Sequence, residues 1–188
     1  MYTLPRPLLP VEVPRPLKVA TSETPMGKIW KLRESEFGRL YPGVTRFNDI
    51  YDEYACILYS ENDEGDITST GRLVLDGEVG LPADEIIKPE VDRLRNQGLR
   101  IAEPSKFAIS RQAQGLLPLY LRTYYGFAAR CGINSLIFII RDKNVSFYEK
   151  AFDARVLKAD VGYTYGTQYR FSLLECEIKK NNPAFMQA

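Results

Sequence analysis

The chain contains no histidine among its 188 residues. That excludes Ser-His-Asp and Cys-His nucleophilic catalysis, and the usual histidine-rich zinc sites with them. Any acid–base chemistry falls to carboxylates, tyrosine, lysine, cysteine, water or the backbone. Cysteine is scarce as well. Cys56, Cys131 and Cys176 are odd in number and far apart, which suits reduced thiols in a cytoplasm better than a disulfide framework. Neither sign of charge is in excess, because 25 Lys and Arg stand against 24 Asp and Glu. The net charge of +1 supplies no field for nucleic acid or an anionic membrane surface. Long apolar runs are also missing. The longest, Leu136 to Ile140, falls far short of the roughly 20 residues that span a bilayer, and no apolar segment follows the N-terminal charges as in a secretory signal. These absences lead us to expect a cytoplasmic protein with no membrane span, no nucleic-acid partner and no metal.

What remains is ordinary globular material, 45% hydrophobic and 26% charged, enough for the core of one domain. Residues 1–18, "MYTLPRPLLPVEVPRPLK", carry five prolines, which fix φ and remove amide donors, so they read as an extended arm. Its leucines and valines suit packing along the body or a neighbouring subunit; a frayed tail is the other reading. A single domain is expected over 19–180 and a tail over 181–188. From Thr24, Ile29, Leu32, Arg33, Phe37 and Leu40 recur at helical spacing until Pro42-Gly43. "YACILYS" and "ITSTGRLVL" predict a hairpin around the turn residues "ENDEGD". After "GLP" a short helix is expected with Pro89 in its first turn and Gly98 past its end. "LRIAEPSKFAIS" predicts a strand in which Pro104 cannot donate to a ladder, implying a bulge or splay. "GLLPLYLRTYYGFAARCG" predicts a helix between Pro118 and Gly132. "SLIFII" is a short strand of the kind buried on both faces. "NVSFYEKAF" predicts a helix, followed by two strands in "ARVLKADVG" and "QYRFSLLECEI". The class is α/β (α+β): one mixed sheet covered by helices, with a parallel crossover in its middle.

The order of these elements, with Asn144, the pair Phe147-Tyr148 and the turn Ala151-Phe152 after an apolar strand, resembles the Gcn5-related N-acyltransferase superfamily. A second set of residues is more specific. Arg33 stands on the first helix, Asp49 and Asp52 before the hairpin, Arg72 on its second strand, and Glu103-Pro104-Ser105-Lys106-Phe107 on the next. This ordered set is similar to the branch containing acyl-homoserine lactone synthases and long-chain N-acyl amino acid synthases. Together the resemblance covers residues 25 to 157. Lys106 departs from it, standing where the branch has arginine and keeping a charge without a bidentate fork. "SRQAQGLLP" departs from the acetyltransferase pyrophosphate loop, keeping Arg111, Gln114 and Gly115 but not the final small residue. No aromatic stands clearly after the first helix, as lactone synthases have it.

The resemblance implies a mostly antiparallel sheet with a central splayed parallel pair and helices on both faces. The implied activity is N-acyl transfer of a medium or long chain, from acyl-CoA or acyl carrier protein as co-substrate, to a small amino-acid-like amine. No tightly bound cofactor is expected. An ordinary acetyl-CoA-dependent N-acetyltransferase and a silent acyl-ligand-binding protein remain open. Such a reaction needs a base for the amine, a straightened donor and a proton for the leaving thiolate. Glu103 is the candidate base; the alternative makes it a surface carboxylate paired with Arg100 or Lys106. Tyr148 is the candidate acid, facing the donor sulfur while Phe147 packs into the core; the alternative makes Tyr148 a core tyrosine. The pantetheine arm would pair with the backbone of Phe107, Ala108, Ile109 and Ser110. Arg111, Gln112, Gln114 and Gly115 would meet its phosphates, and Asn144 would assist from the last helix. Arg33, Asp49, Asp52 and Arg72 would form an ion-pair network that places the acceptor, or one that is purely structural.

Overall fold

The β-rich runs of the sequence build one mixed sheet, described with its helices over residues 13–42, 47–163 and 167–179 in the computed structural model. Its strands are β1 (Lys18–Val19), β2 (Ala55–Glu61), β3 (Ile67–Leu75), β4 (Ile101–Ile109), β5 (Ser135–Arg141), β6 (Arg155–Tyr163) and β7 (Arg170–Glu177). They lie in the order β1-β2-β3-β4-β5-β7-β6. Every neighbouring pair is antiparallel except β4 and β5. The helices are α1 (Met26–Leu40), α2 (Asp84–Asn96), α3 (Leu117–Arg130), which joins the parallel pair, and α4 (Val145–Phe152).

Successive side chains of a strand point to opposite faces, and the core divides accordingly. Leu73, Ala102, Leu136 and Phe138 pack with Tyr120, Tyr124 and Tyr148 of α3 and α4. Val74, Ile101, Ile137 and Leu173 pack with Val91 and Leu94 of α2, and Ile57 and Tyr59 with Ile29 of α1. Helices therefore cover both faces, as expected. Helix α2 begins earlier than the sequence suggested, at Asp84, and breaks at Ile87 (φ −148°, ψ 46°), so that Pro89 opens its second part. A proline inside an unbroken helix would remove a hydrogen bond and clash with the preceding turn. Of the N-terminal arm, Val13 and Leu17 pack against the body and Lys18–Val19 pairs with β2; residues 1–12 and the tail 181–188 lie outside the described residues. The cysteines are free, and burial pushes the thiols of Cys56 and Cys176 up to about 12.

Two features of β4 shape the centre of the sheet. First, β4 and β5 pair only at Ile101↔Ser135 and Ala102↔Leu136; beyond them the strands part, although β4 stays bonded to β3 as far as Ile109. Second, β3 residues Thr70 and Arg72 face Ala108 and Ser105, so β4 carries one extra residue there. That bulge is taken up by Lys106, whose φ is +54°, a conformation that costs a residue with a side chain roughly 1–2 kcal/mol. The splay or bulge read from Pro104 is present in both forms. Pro104 itself pairs with Leu73 just before the bulge.

The bulge seats the Phe107 ring on the bare backbone of Gly71, where an added Cβ would lie 2.8 Å from the ring and 3.1 Å from Tyr120. Gly71→Val should therefore overpack the α3 face and destabilise the protein by about 1–3 kcal/mol in chemical denaturation. Stability equal to that of the wild type would mean that Phe107 is loosely held.

Candidate active site

The parted strands expose two sets of residues, one on each face of the sheet. On the face covered by α1 and α2, Val74 and Arg72 of β3 lie opposite Glu103 and Ser105 of β4. Arg72 is 1% exposed and every guanidinium nitrogen is engaged. Its Nε donates to Ser105 Oγ at 3.0 Å, Nη2 to Asp49 Oδ2 at 3.0 Å, and Nη1 to Asp52 Oδ1 at 3.0 Å and to Asp49 Oδ1. Arg33, fully buried on α1, gives Nη1 to both Asp52 oxygens at 2.8 and 2.7 Å, while its Nε and Nη2 are buried without a partner. Lys106 Nζ approaches Asp49 Oδ2 at 3.5 Å. The four residues expected to form a network do form one. Arg72 is consumed within it, and the unpartnered Nε and Nη2 of Arg33 are sealed in the interior, so neither arginine presents a fork at the surface of the site. Asp49, its side chain 22% exposed, reaches outward. Burial would raise the Asp49 carboxyl, but the hydrogen bonds and charge of Arg72, with Lys106, hold it below the usual carboxylate range.

Glu103 lies on the same face, one residue past the last β4–β5 pair, and is 2% exposed. It is not a surface carboxylate, and its hydrogen bond goes to neither Arg100 nor Lys106. Oε2 accepts the Ala83 amide at 2.8 Å, supplied by the turn after "GLP". Burial pushes the carboxyl up to about 7, against the Ala83 hydrogen bond and the nearby Arg72 charge, which pull it down. A carboxyl poised there can take a proton near neutrality.

The other face carries the aromatic groups. Phe107, beyond the bulge, contacts the rings of Tyr120 and Tyr124 at 5.9 and 6.1 Å between centroids. On α4 the two aromatics exchange the places expected of them. Tyr148 is 6% exposed, packed between Phe138 and Phe152 at 5.3 and 5.9 Å, whereas Phe147 is 42% exposed. Positions 148 and 152 share the buried stripe of this two-turn helix, and Phe147 covers their edges from outside. Burial, and then the phenol of Tyr41, raise the Tyr148 hydroxyl above its ordinary value.

At the end of β4, Ala108 is buried, Ile109 and Ser110 are half-buried, and Arg111, Gln112, Gln114 and Gly115 are exposed in the turn before α3. The Ala113 and Leu116 amides bond within that turn. A cavity of about 490 Å³ opens beside Ser110, Arg111 and Gln112, against Arg39 of α1. Asn144 is exposed at the start of α4 and makes no cap hydrogen bond.

Sequence reasoning did not single out Tyr41, Arg141 and Tyr169. Tyr41 ends α1 and continues an aromatic row from Phe37 (6.3 Å), which also stacks on Phe47 (6.4 Å), so aromatics do follow the first helix. Arg141 ends β5, 3.7 Å over the Tyr169 ring. The abrupt step from "SLIFII" to a cation was the only signal.

A model of the family described as N-acyl amino acid synthase FeeM matches residues 32–176. No curated protein matches the sequence. Among solved structures, FeeM, an N-acyl amino acid synthase from uncultured soil microbes, superposes with a TM-score of 0.72 at 18% identity, over 87% of this chain and 91% of that one. The CoA-dependent acyl-homoserine lactone synthase BjaI, with MTA, gives 0.64 at 15%, over 85% and 78%. The acyl-homoserine lactone synthase LasI gives 0.60 at 19%, over 87% and 89%. These likenesses show the acyltransferase fold.

Removing one partner from the buried network isolates its weight. Arg72→Ala leaves Asp49 and Asp52 without their shared cation and should cost about 3–5 kcal/mol of stability, read as a drop in denaturation midpoint. A change below about 1 kcal/mol would show that water replaces the guanidinium freely.

Proposed function

The chain belongs to the N-acyl amino acid synthase family of FeeM and is an N-acyltransferase, and from that premise we propose that it moves an acyl group from acyl-CoA or acyl carrier protein to the α-amine of a small amino-acid-like acceptor. The observation that carries this reading is Glu103, a buried carboxyl pushed up to about 7 at the point where β4 and β5 separate. The donor lies along the unpaired edge of β4, its pantetheine amides extending the strand beside Phe107 to Ser110 and its phosphate end at Arg111 to Gly115. The acceptor lies on the α1/α2 face, its ammonium drawn toward Asp49.

Glu103 takes a proton from the ammonium, directly or through water. The free amine attacks the thioester carbonyl, a C–N bond forms, the nitrogen gives up its second proton to water, and the C–S bond breaks. The Tyr148 hydroxyl donates to the leaving sulfur and is reprotonated from solvent. The network of Arg33, Asp49, Asp52 and Arg72 holds β3, β4 and the segment before β2 in register. It positions the acceptor through Asp49 rather than by an arginine clamp. The free cysteines suit a reducing compartment, and no helix among the described residues is long and apolar enough to cross a membrane.

Thiol release from acyl-CoA in the presence of amines tests this directly. Because Glu103 acts ionised, kcat/KM should fall as pH drops below about 7. Glu103→Gln should cost about 10²–10⁴-fold and remove that limb. The sign for stability is opposite. A raised folded pKa means that the contribution of Glu103 is present below the unfolded carboxyl value and is lost as pH rises toward about 7, so Glu103→Gln should flatten that decline. A variant as fast as wild type at every pH would remove Glu103 as the base.

Tyr148→Phe keeps the contacts to Phe138 and Phe152 and deletes only the donor. It should lower turnover by about 10²–10⁴-fold with thermal stability and donor affinity nearly unchanged. Undiminished turnover would make Tyr148 a wall of the gap.

A further inference from the structure

With the fork of Arg72 spent on Asp49 and the free Nε and Nη2 of Arg33 fully buried, the proposed acceptor's own carboxylate needs another cation on the α1/α2 face. We infer that Arg141 is the residue that binds the acceptor's carboxylate, a role that rests on the reading of an amino-acid-like acceptor given above.

The placement follows from strand geometry. Ile137 belongs to the α2 cluster, and Ile139 packs against it, so Arg141, next in the period of two, points to the same face as Glu103 and Arg72. It stands five residues past Leu136, where β5 leaves β4, as Lys106 stands four residues past Ala102 on the other arm. At about 3.3 Å per residue both cations sit near the open ends, roughly 13–17 Å beyond the last pair. The aromatic row on α1 bridges them. Lys106 Nζ lies 6.0 Å from the Phe37 ring centroid, and Arg141 lies 5.6 Å from that of Tyr41.

Arg141 is also prepared for a carboxylate. Its guanidinium is 3.7 Å over the Tyr169 ring, and a stacked guanidinium keeps its N–H groups in its own plane, directed outward from the edge. Among the described residues it has no ion pair, and Nε is buried without a hydrogen-bond partner. The nearest carboxylate in sequence, Asp142, accepts instead from Ser172 Oγ at 2.7 Å. Lys106 is a poorer candidate, because it already approaches Asp49, and burial together with the Arg72 charge lowers its pKa. A half-buried arginine backed by the Tyr169 ring, with only the Tyr41 hydroxyl beside it among the described residues, can receive a carboxylate bidentately.

The test compares free L-amino acids with their carboxamides as acceptors, by thiol release from acyl-CoA, using the 188-residue chain. Wild type should prefer the free acid of whichever amino acid it uses. Arg141→Gln should raise KM for that acid by about 10–100-fold, the size of one charge-assisted pair, while kcat and the carboxamide's parameters stay nearly constant. Arg141→Lys should recover part of the preference, having charge without the fork. The acid-to-amide ratio does not depend on how much of a variant is folded, so loss of structure cannot imitate this result. Equal losses for acid and carboxamide, or an unchanged preference in Arg141→Gln, would overturn the assignment and leave acyl transfer to amino acids standing. Acylation only of amines that lack a carboxyl would overturn the acceptor class together with the assignment.

Discussion

Everything specific to this molecule depends on two strands ceasing to pair. β4 and β5 share only Ile101↔Ser135 and Ala102↔Leu136, yet each remains anchored on its far side, β4 by β3 and β5 by β7. The antiparallel ladders on both flanks hold the parted strands open, and the backbone edge between them stays available to a ligand. A sheet is normally a partition between two helical layers. Here it has a window, with Tyr41 packed on Phe171 on one face and Tyr148 in the aromatic cluster on the other.

Around this window the electrostatics separate two carboxyl populations. Asp49 and Asp52 are surrounded by guanidinium donors, and Arg72 holds the Asp49 carboxyl below its usual range. Glu103, two residues from Ser105 on the same strand face, has among the described residues a single backbone donor and no ion pair, and burial prevails. The difference lies in the partners, since all three are carboxyls within the same small region. In a chain without histidine, this is how a group that titrates near neutrality is obtained.

The order of elements and the ion-pair network were legible in the sequence, because Arg33, Asp49, Asp52 and Arg72 are residue types that demand partners and fall on adjoining elements. The environment of Glu103 was only partly legible: Pro104 signalled an opening in the sheet, but the amide that holds the carboxyl comes from Ala83, 20 residues away. The pair Phe147-Tyr148 showed that α4 has two faces without showing which one is buried. The partners that decide it, Phe138 and Phe152, are fixed by packing. Arg141, Tyr41 and Tyr169 come from three distant segments and meet only in the folded chain, so no spacing announced them.

The bulge at Lys106 has a further consequence. Before it, the odd-numbered residues Glu103 and Ser105 face α1 and α2; after it, the odd-numbered Phe107 faces α3 and packs on Tyr120 and Tyr124. One extra residue reverses the phase of the strand, and a single strand thereby serves both sides of the sheet. The site is thus written partly in the length of the segment as well as in its side chains. Glycine at position 106 would keep that count and relax the positive φ, whereas loss of one residue would turn either Phe107 or Glu103 and Ser105 to the wrong face. Between Glu103 and Phe107, insertions and deletions are a harsher filter on this chain than substitutions.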